Sequence, residues 1–99
     1  MTRALAPLLW GLILLSLPSI ALADSVSPST LAIACFTCHG TDGKSPGAIP
    51  SLHDKTAAYI EQQLKAFKAD RRQVTLMNRI AKGYSDRQIE AIAKYLGRK

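Results

Sequence analysis

The sequence lacks the features on which β-sheet domains, repeat proteins and large enzymes depend. It has 99 residues, and no stretch after residue 23 alternates apolar and polar residues among β-branched types for long enough to indicate a strand. It also contains no internal repeat. So short a chain buries little apolar surface unless a disulfide, a metal or a partner adds stability. We therefore expect one small all-α domain.

Acidic residues are few, with seven Asp and Glu against 13 Lys and Arg, which gives a formal net charge of +6. Such a balance favours acidic partner surfaces or anionic cofactors. From Asp24 onwards the acids are nevertheless spread among the basic residues, unlike the clustered basic surface of a nucleic-acid-binding protein. We expect no nucleic-acid partner.

The only long apolar run lies in residues 1–23, which have the pattern of a secretory signal peptide. A single charge, Arg3, precedes the apolar segment 8–15, and the stretch ends in Ala21-Leu22-Ala23. A retained membrane anchor is the alternative, because the uncharged part after Arg3 could just reach across a bilayer. The small-residue ending favours cleavage, which predicts a periplasmic protein of residues 24–99 without a stable membrane span.

Both cysteines belong to one short motif, Cys35-Phe36-Thr37-Cys38-His39. The C-x-x-C-H spacing is the attachment signature of c-type haem, since two thiols on one helical turn can add to the two vinyl groups and the next histidine can reach the iron. We predict one covalent haem c, attached through Cys35 and Cys38, with His39 as an axial iron ligand.

Two other interpretations of the motif fit less well. A redox-active C-x-x-C of the thioredoxin type needs a surrounding βαβ pattern, which the sequence lacks. A structural zinc site needs two further Cys or His ligands, and His53 is the only other candidate.

Met77, the only methionine after the leader, is predicted to be the second axial ligand of the iron. It lies between two helical patterns, so a loop could carry its thioether round to the far face of the haem. The alternatives are a methionine that only fills the core and ligation by His53, which lies in the loop expected to cover the proximal side. A haem sensor or peroxidase would require that Met77 does not ligate.

The imidazole of a ligating histidine normally donates its second N–H to a carbonyl or carboxylate group. The loop 45–52 is rich in Pro and Gly, and the carbonyl of its Pro50 is the predicted acceptor for His39, with Leu52 packing on the haem. An ordinary turn without a contact to His39 is the alternative.

Four basic residues flank Met77 and could frame the exposed haem edge, pair with haem propionates or meet an acidic partner. The alternative is a solvated basic face. These residues are Arg71, Arg72, Arg79 and Lys82.

Three main helices are predicted from caps and apolar spacing. They span residues 27 or 29 to 40, 54–69 and 85–97, with Asp54 and Ser85 as caps of the second and third. A short helix over 78–82, ended by Gly83, would connect the Met77 loop to the last helix.

The motif Cys35-Phe36-Thr37-Cys38-His39-Gly40, followed in order by Pro50 and Met77, resembles the class I c-type cytochromes. More narrowly, the segment Leu76-Met77-Asn78-Arg79-Ile80-Ala81-Lys82-Gly83-Tyr84 is similar to the cytochrome subunit of flavocytochrome c sulfide dehydrogenase. The resemblance implies the small class I cytochrome c fold round one haem, with Cys35 and Cys38 as thioether attachments and His39 and Met77 as axial ligands.

The resemblance also implies electron transfer in sulfide oxidation. A separate flavoprotein subunit, which holds FAD, would oxidise sulfide and pass electrons to the haem of this chain and on to a downstream acceptor. This chain would have no catalytic residues of its own. Well-known members carry two haem domains in tandem, whereas this sequence has one C-x-x-C-H motif, so it would be a single-haem version. The alternative is a free-standing soluble monohaem carrier to a terminal oxidase or reductase.

Overall fold

A computed structural model describes residue 16, residues 25–73 and residues 75–98. The predicted signal peptide, residues 1–23, lies outside the described residues apart from Ser16. Four α-helices make up most of the described part, which contains no strand, and this confirms the all-α class. They are α1 (Pro28–His39), α2 (Ala57–Lys68), α3 (Thr75–Ala81) and α4 (Asp86–Leu96).

Helix α1 begins and ends where the sequence predicts. The Ser27 hydroxyl caps it by accepting a hydrogen bond from the Thr30 amide at 3.3 Å, and Pro28 fits the first turn because its missing N–H has no partner there. At the other end Gly40 has a φ of 88°. A Cβ at this position would lie 1.9 Å from the Lys44 carbonyl oxygen, so only glycine can turn the chain out of α1 here.

The predicted cap of α2 at Asp54 is wrong, because the helix begins two residues later than predicted. The cap is Thr56, whose hydroxyl accepts from the Tyr59 amide at 3.1 Å. Residues 52–55 form a turn instead, in which the Lys55 amide donates to the Leu52 carbonyl at 3.0 Å. Both Asp and Thr are good helix caps. Because Asp54 lies within this turn, the helix begins after it and Thr56 is the cap.

The C-terminal end of α2 is closed by a Schellman motif. The Arg71 amide donates to Ala66 O at 2.9 Å, and the Asp70 amide donates to Phe67 O at 3.1 Å. Asp70 has a φ of 55°, the left-handed conformation that this motif requires and that Asp tolerates better than most residues.

Helix α3 is longer than the predicted segment 78–82 and starts earlier, at Thr75. Met77 therefore lies within a helix and not in a loop, which corrects the prediction. Leu and Met favour helix, and α3 packs against α2, which stabilises a segment too short to form alone. The Gly83 amide donates to Ile80 O at 3.0 Å as the helix ends.

Helix α4 confirms its prediction. The Ser85 hydroxyl accepts from the Gln88 amide at 3.1 Å, and the Gln88 side chain accepts from the Ser85 amide at 2.9 Å, which completes the capping box. Gly97 follows the last helical residue.

The core lies between α4 and the two helices that pack on it, α1 and α2. The predicted apolar stripes of α2 and α4 supply most of it, because residues at spacings of three and four share one helix face. The buried apolar residues are Ala32, Ile60, Phe67, Ala81, Ile89, Ile92 and Ala93.

A close contact joins the end of α4 to the start of α2. The Arg98 amide donates to Lys55 O at 2.7 Å. A Cβ built at Gly97 would lie 2.3 Å from both the backbone N and the Cα of Ala57. Residue 97 must therefore be glycine for lack of space, although its φ of −74° would suit any residue.

We predict that Gly97→Ala lowers the free energy of unfolding by about 1 to 3 kcal/mol, because the added methyl group forces the two helix ends apart. Urea denaturation of the holoprotein measures this. Gly47→Ala is the matched control, since a Cβ there meets nothing within 4 Å. Equal midpoints for the two variants would contradict the close contact.

Candidate haem-attachment site

The two cysteines lie on the last turns of α1 and share one face of it. Positions 35, 38 and 39 are related by three and four residues, which places their side chains on the same side of a helix. Cys35 is half-buried and Cys38 is exposed, and no disulfide joins them. Burial raises the pKa of the Cys35 thiol, against a smaller opposing effect of a backbone hydrogen bond.

The imidazole of His39 has a defined tautomer. Its Nδ1 lies 2.6 Å from the carbonyl oxygen of Pro50, the residue that the sequence analysis expects as its partner. A carbonyl can only accept a hydrogen bond, so Nδ1 carries the proton. In the neutral ring, Nε2 then has the free lone pair that a metal ion needs.

The Pro50 carbonyl is placed by a loop whose two ends are hydrogen-bonded together. The carbonyl of Gly43 accepts from the amides of Leu52 at 2.8 Å and His53 at 3.3 Å. Inside the loop, the Ser45 amide donates to the Ser51 hydroxyl at 2.9 Å. Gly43 has a φ of 73°, which favours glycine. These contacts bring Pro50 to His39 and leave Leu52 half-buried nearby.

His53 is exposed at the end of this loop. Within residues 25–73 and 75–98, no three His, Cys, Asp or Glu side chains converge in a way that could hold a metal ion.

Met77 and Arg79 lie on a different element from the other predicted site residues. Met77 is half-buried and Arg79 is exposed on α3, which packs principally against α2. The structure thus brings His39 and Pro50 together through the loop after α1, while Leu52 lies against Gly43 in the same loop and α3 carries Met77 separately.

The chemistry of these side chains fits a covalent haem. Two thiols one helical turn apart can form thioethers, and the next residue is an imidazole whose Nε2 is free to bind iron. Met77 adds a thioether, a ligand that haem iron takes opposite histidine in electron-transfer proteins.

The basic residues near Met77 differ in their contacts. Arg72 donates to the Gln63 side chain and its guanidinium lies 5.0 Å from the centre of the Phe67 ring. Lys82 forms an ion pair with Asp70. Arg71 and Arg79 have no ion pair among the described residues.

Asn78 is a residue that the sequence analysis missed. Its side chain is only 7% exposed, and its amide donates to Arg72 O at 2.7 Å, Phe67 O at 3.1 Å and Asp70 Oδ1 at 3.2 Å. A signal existed, because Asn is unfavourable inside a helix unless its amide has partners.

Comparison with known proteins gives a match along all four helices. The family model for cytochrome c matches residues 29–98. The cytochrome subunit of sulfide dehydrogenase from Chlorobaculum tepidum is 48% identical over 67 residues, which cover 68% of this chain and 61% of that protein. The chain thus spans about three fifths of that relative.

Two further relatives are cytochromes of different size. Cytochrome c-552 of Acidithiobacillus ferridurans is 44% identical over 63 residues, covering 64% of this chain and only 27% of that protein. Cytochrome c-554(548) of Halomonas halodenitrificans is 40% identical over 65 residues, covering 62% of this chain and 78% of that protein.

The ion pair beside Asn78 predicts a pH effect. The hydrogen bond and charge of Lys82 hold the pKa of Asp70 below its ordinary value, with a smaller contribution from the Asn78 amide and against partial desolvation. A carboxyl whose pKa is depressed by folding adds stability above its unfolded pKa, and this is lost as the pH falls through the folded value.

We expect Lys82→Gln to raise the pKa of Asp70 and to reduce stability at neutral pH but not at a pH below the folded pKa. An NMR titration of the Asp70 carboxyl, with urea denaturation at both pH values, measures this. Lys94→Gln is the control, since Lys94 has no ion pair among the described residues. An unchanged pKa of Asp70 in Lys82→Gln would contradict the prediction.

Proposed function

The chain belongs to the cytochrome c family, and from this premise we propose that it is the electron-accepting subunit of a periplasmic sulfide dehydrogenase. A cytochrome c domain implies covalent haem c, and the single C-x-x-C-H motif makes the chain a monohaem electron carrier. The proposed partner is a flavoprotein that holds FAD and oxidises sulfide. The similarity of this chain to the cytochrome subunit of sulfide dehydrogenase supports that proposal.

Four residues would hold the haem in this proposal. Cys35 and Cys38 would form the two thioethers, and the Nε2 atom of His39 and the sulfur of Met77 would bind the iron. When bound, the haem would supply one-electron transfer at its iron, and Met/His ligation would raise the reduction potential. Ligation by both side chains would disfavour the binding of oxygen or substrate at the iron, which suits a carrier.

The surrounding residues keep these ligands in place. The 2.6 Å contact of His39 with Pro50 O holds the proton on Nδ1 and orients the ring, and it makes the ligand more basic. In this proposal Leu52 packs on the haem and excludes water, and Arg79 pairs with a propionate. Neither thiol remains free for sulfide chemistry, so that chemistry belongs to the flavoprotein.

The charges left without partners favour an acidic docking surface. Five of the six acids in the described residues are already in ion pairs with lysines, the exception being Asp42. Several basic residues have no ion pair there, including Arg71 and Arg79 on either side of Met77. Positive charge beside the ligand-bearing helix would steer an acidic partner towards it.

Export would place the chain in the periplasm, with residues 1–23 removed and residues 24–99 retained. In the described part of the chain, each helix is too short or too polar to cross a bilayer. Covalent haem attachment through C-x-x-C-H agrees with an exported protein in which two cysteines do not form a disulfide.

A free-standing monohaem carrier to a terminal oxidase or reductase is the second candidate. The observation in its favour is the similarity to cytochrome c-554(548), of which the match covers 78%. A tight subunit requires a larger and more apolar interface than a diffusible carrier, which docks weakly.

Gentle purification from the native periplasm, followed by one absorbance spectrum, distinguishes these functions. Flavin in equal amount to haem, with the flavin bleached and the haem reduced on addition of sulfide, is the result expected for the dehydrogenase subunit. Haem without flavin, in a monomer that sulfide does not reduce, would contradict it and support the free carrier.

We predict that Met77→Ala abolishes the Met-to-iron charge-transfer band of the ferric protein, because the variant lacks the thioether that binds the iron. The control is Leu76→Ala, which removes the neighbouring side chain, 59% exposed, and should leave the band in place. A band that persists in Met77→Ala would exclude Met77 as the ligand.

A further inference from the structure

Asn78 is a buried polar residue beside the proposed ligand. It directly follows Met77 on α3, and its side chain, 7% exposed, is the one buried polar side chain among residues 25–73 and 76–98. Burial of an amide is costly unless hydrogen bonds replace its contacts with water. Its partners therefore show what the residue does.

The three acceptors of the Asn78 amide nitrogen lie in one segment, which runs from the end of α2 into the connection to α3. The amide nitrogen lies 2.7 Å from Arg72 O, 3.1 Å from Phe67 O and 3.2 Å from Asp70 Oδ1. Two of these acceptors are backbone carbonyls, so the contact follows the course of the chain and does not depend on a mobile side chain.

Hydrogen bonds and burial fix the conformation of the segment that contains these acceptors. The Schellman hydrogen bonds of Asp70 and Arg71 close α2, and Phe67 is buried in the core. The Asp70 carboxylate also accepts from Lys82, which follows the end of α3. Residues 78 and 82 are one helical turn apart, so α3 is attached to the same segment at two successive turns.

Helix α3 depends on such attachments for its position. It has seven residues, fewer than an isolated helix needs for stability in water. Any rotation or shift of α3 moves Met77 together with Asn78, because the two residues are adjacent on this helix. The hydrogen bonds of Asn78 therefore hold the backbone of the ligand itself.

We propose that Asn78 is a positioning residue for Met77, and that its amide holds α3 so that the thioether stays on the haem iron. The inference rests on the proposed ligation of iron by Met77. Asn78 itself touches neither the iron nor a substrate in this account, and it acts only through the placement of its neighbour.

The test compares the ferric wild-type holoprotein with Asn78→Ala. We measure the Met-to-iron charge-transfer band and the affinity for added imidazole, which competes with the Met77 sulfur. Loss of a residue that supports a metal ligand typically weakens the metal site 10- to 100-fold. We expect the band to weaken and the imidazole affinity to rise by about tenfold, which equals about 1.4 kcal/mol.

Two further variants separate positioning from general stability. Asn78→Ser keeps one hydroxyl donor and should fall between wild type and Asn78→Ala, and it also serves if Asn78→Ala gives no holoprotein. Ile60→Val removes one methylene from a buried residue of α2, 4% exposed. It should lower the unfolding midpoint in urea while leaving the band and the imidazole affinity unchanged.

The possible failures are distinct. If wild type shows the band but the Asn78 variants match its band and imidazole affinity, losing only stability, the positioning role is overturned and the proposed ligation stands. If wild type itself lacks the band, ligation by Met77 is wrong, and the role of Asn78 falls with it.

Discussion

The site depends first on the hydrogen bond between His39 Nδ1 and the Pro50 carbonyl, 2.6 Å long. It decides which ring nitrogen carries the proton, and so which one can bind iron. The bond exists because Gly40 turns the chain sharply after α1 and Gly43 closes the following loop with its carbonyl. Two backbone positions that only glycine suits well thus determine the chemistry of a histidine.

The second half of the site has a different physical basis. Met77 lies on a helix too short to be stable alone, attached to the closed end of α2 through Asn78 and Lys82. Among the described residues the core is small, with seven buried apolar residues of which three are alanines. A covalently bound haem would add the apolar bulk that so small a domain lacks, and would connect the two halves.

Helix caps and motifs that depend on adjacent residues could be predicted from the sequence. Helix boundaries and hydrogen bonds that depend on contacts between distant residues could not. The Ser85 capping box and the family resemblance could be predicted from adjacent residues, and the comparisons confirm the family. The start of α1 was predicted only to within two residues, and Ser27 is its cap. The start of α2 depends on the turn before Thr56, and the extent of α3 depends on packing against α2. An Asn inside a helix signals that its amide needs partners, but the partners of Asn78 could not be predicted, because its acceptors lie six to eleven residues earlier.

The central claim is that this chain carries electrons on an iron whose two axial positions are filled by its own residues. Addition of carbon monoxide to the reduced wild-type holoprotein tests it most directly. We expect an unchanged absorption spectrum, because ligation by both His39 and Met77 would leave no open position on the iron. Prompt formation of a carbon monoxide complex would contradict it and would indicate a sensor or peroxidase with an open iron site.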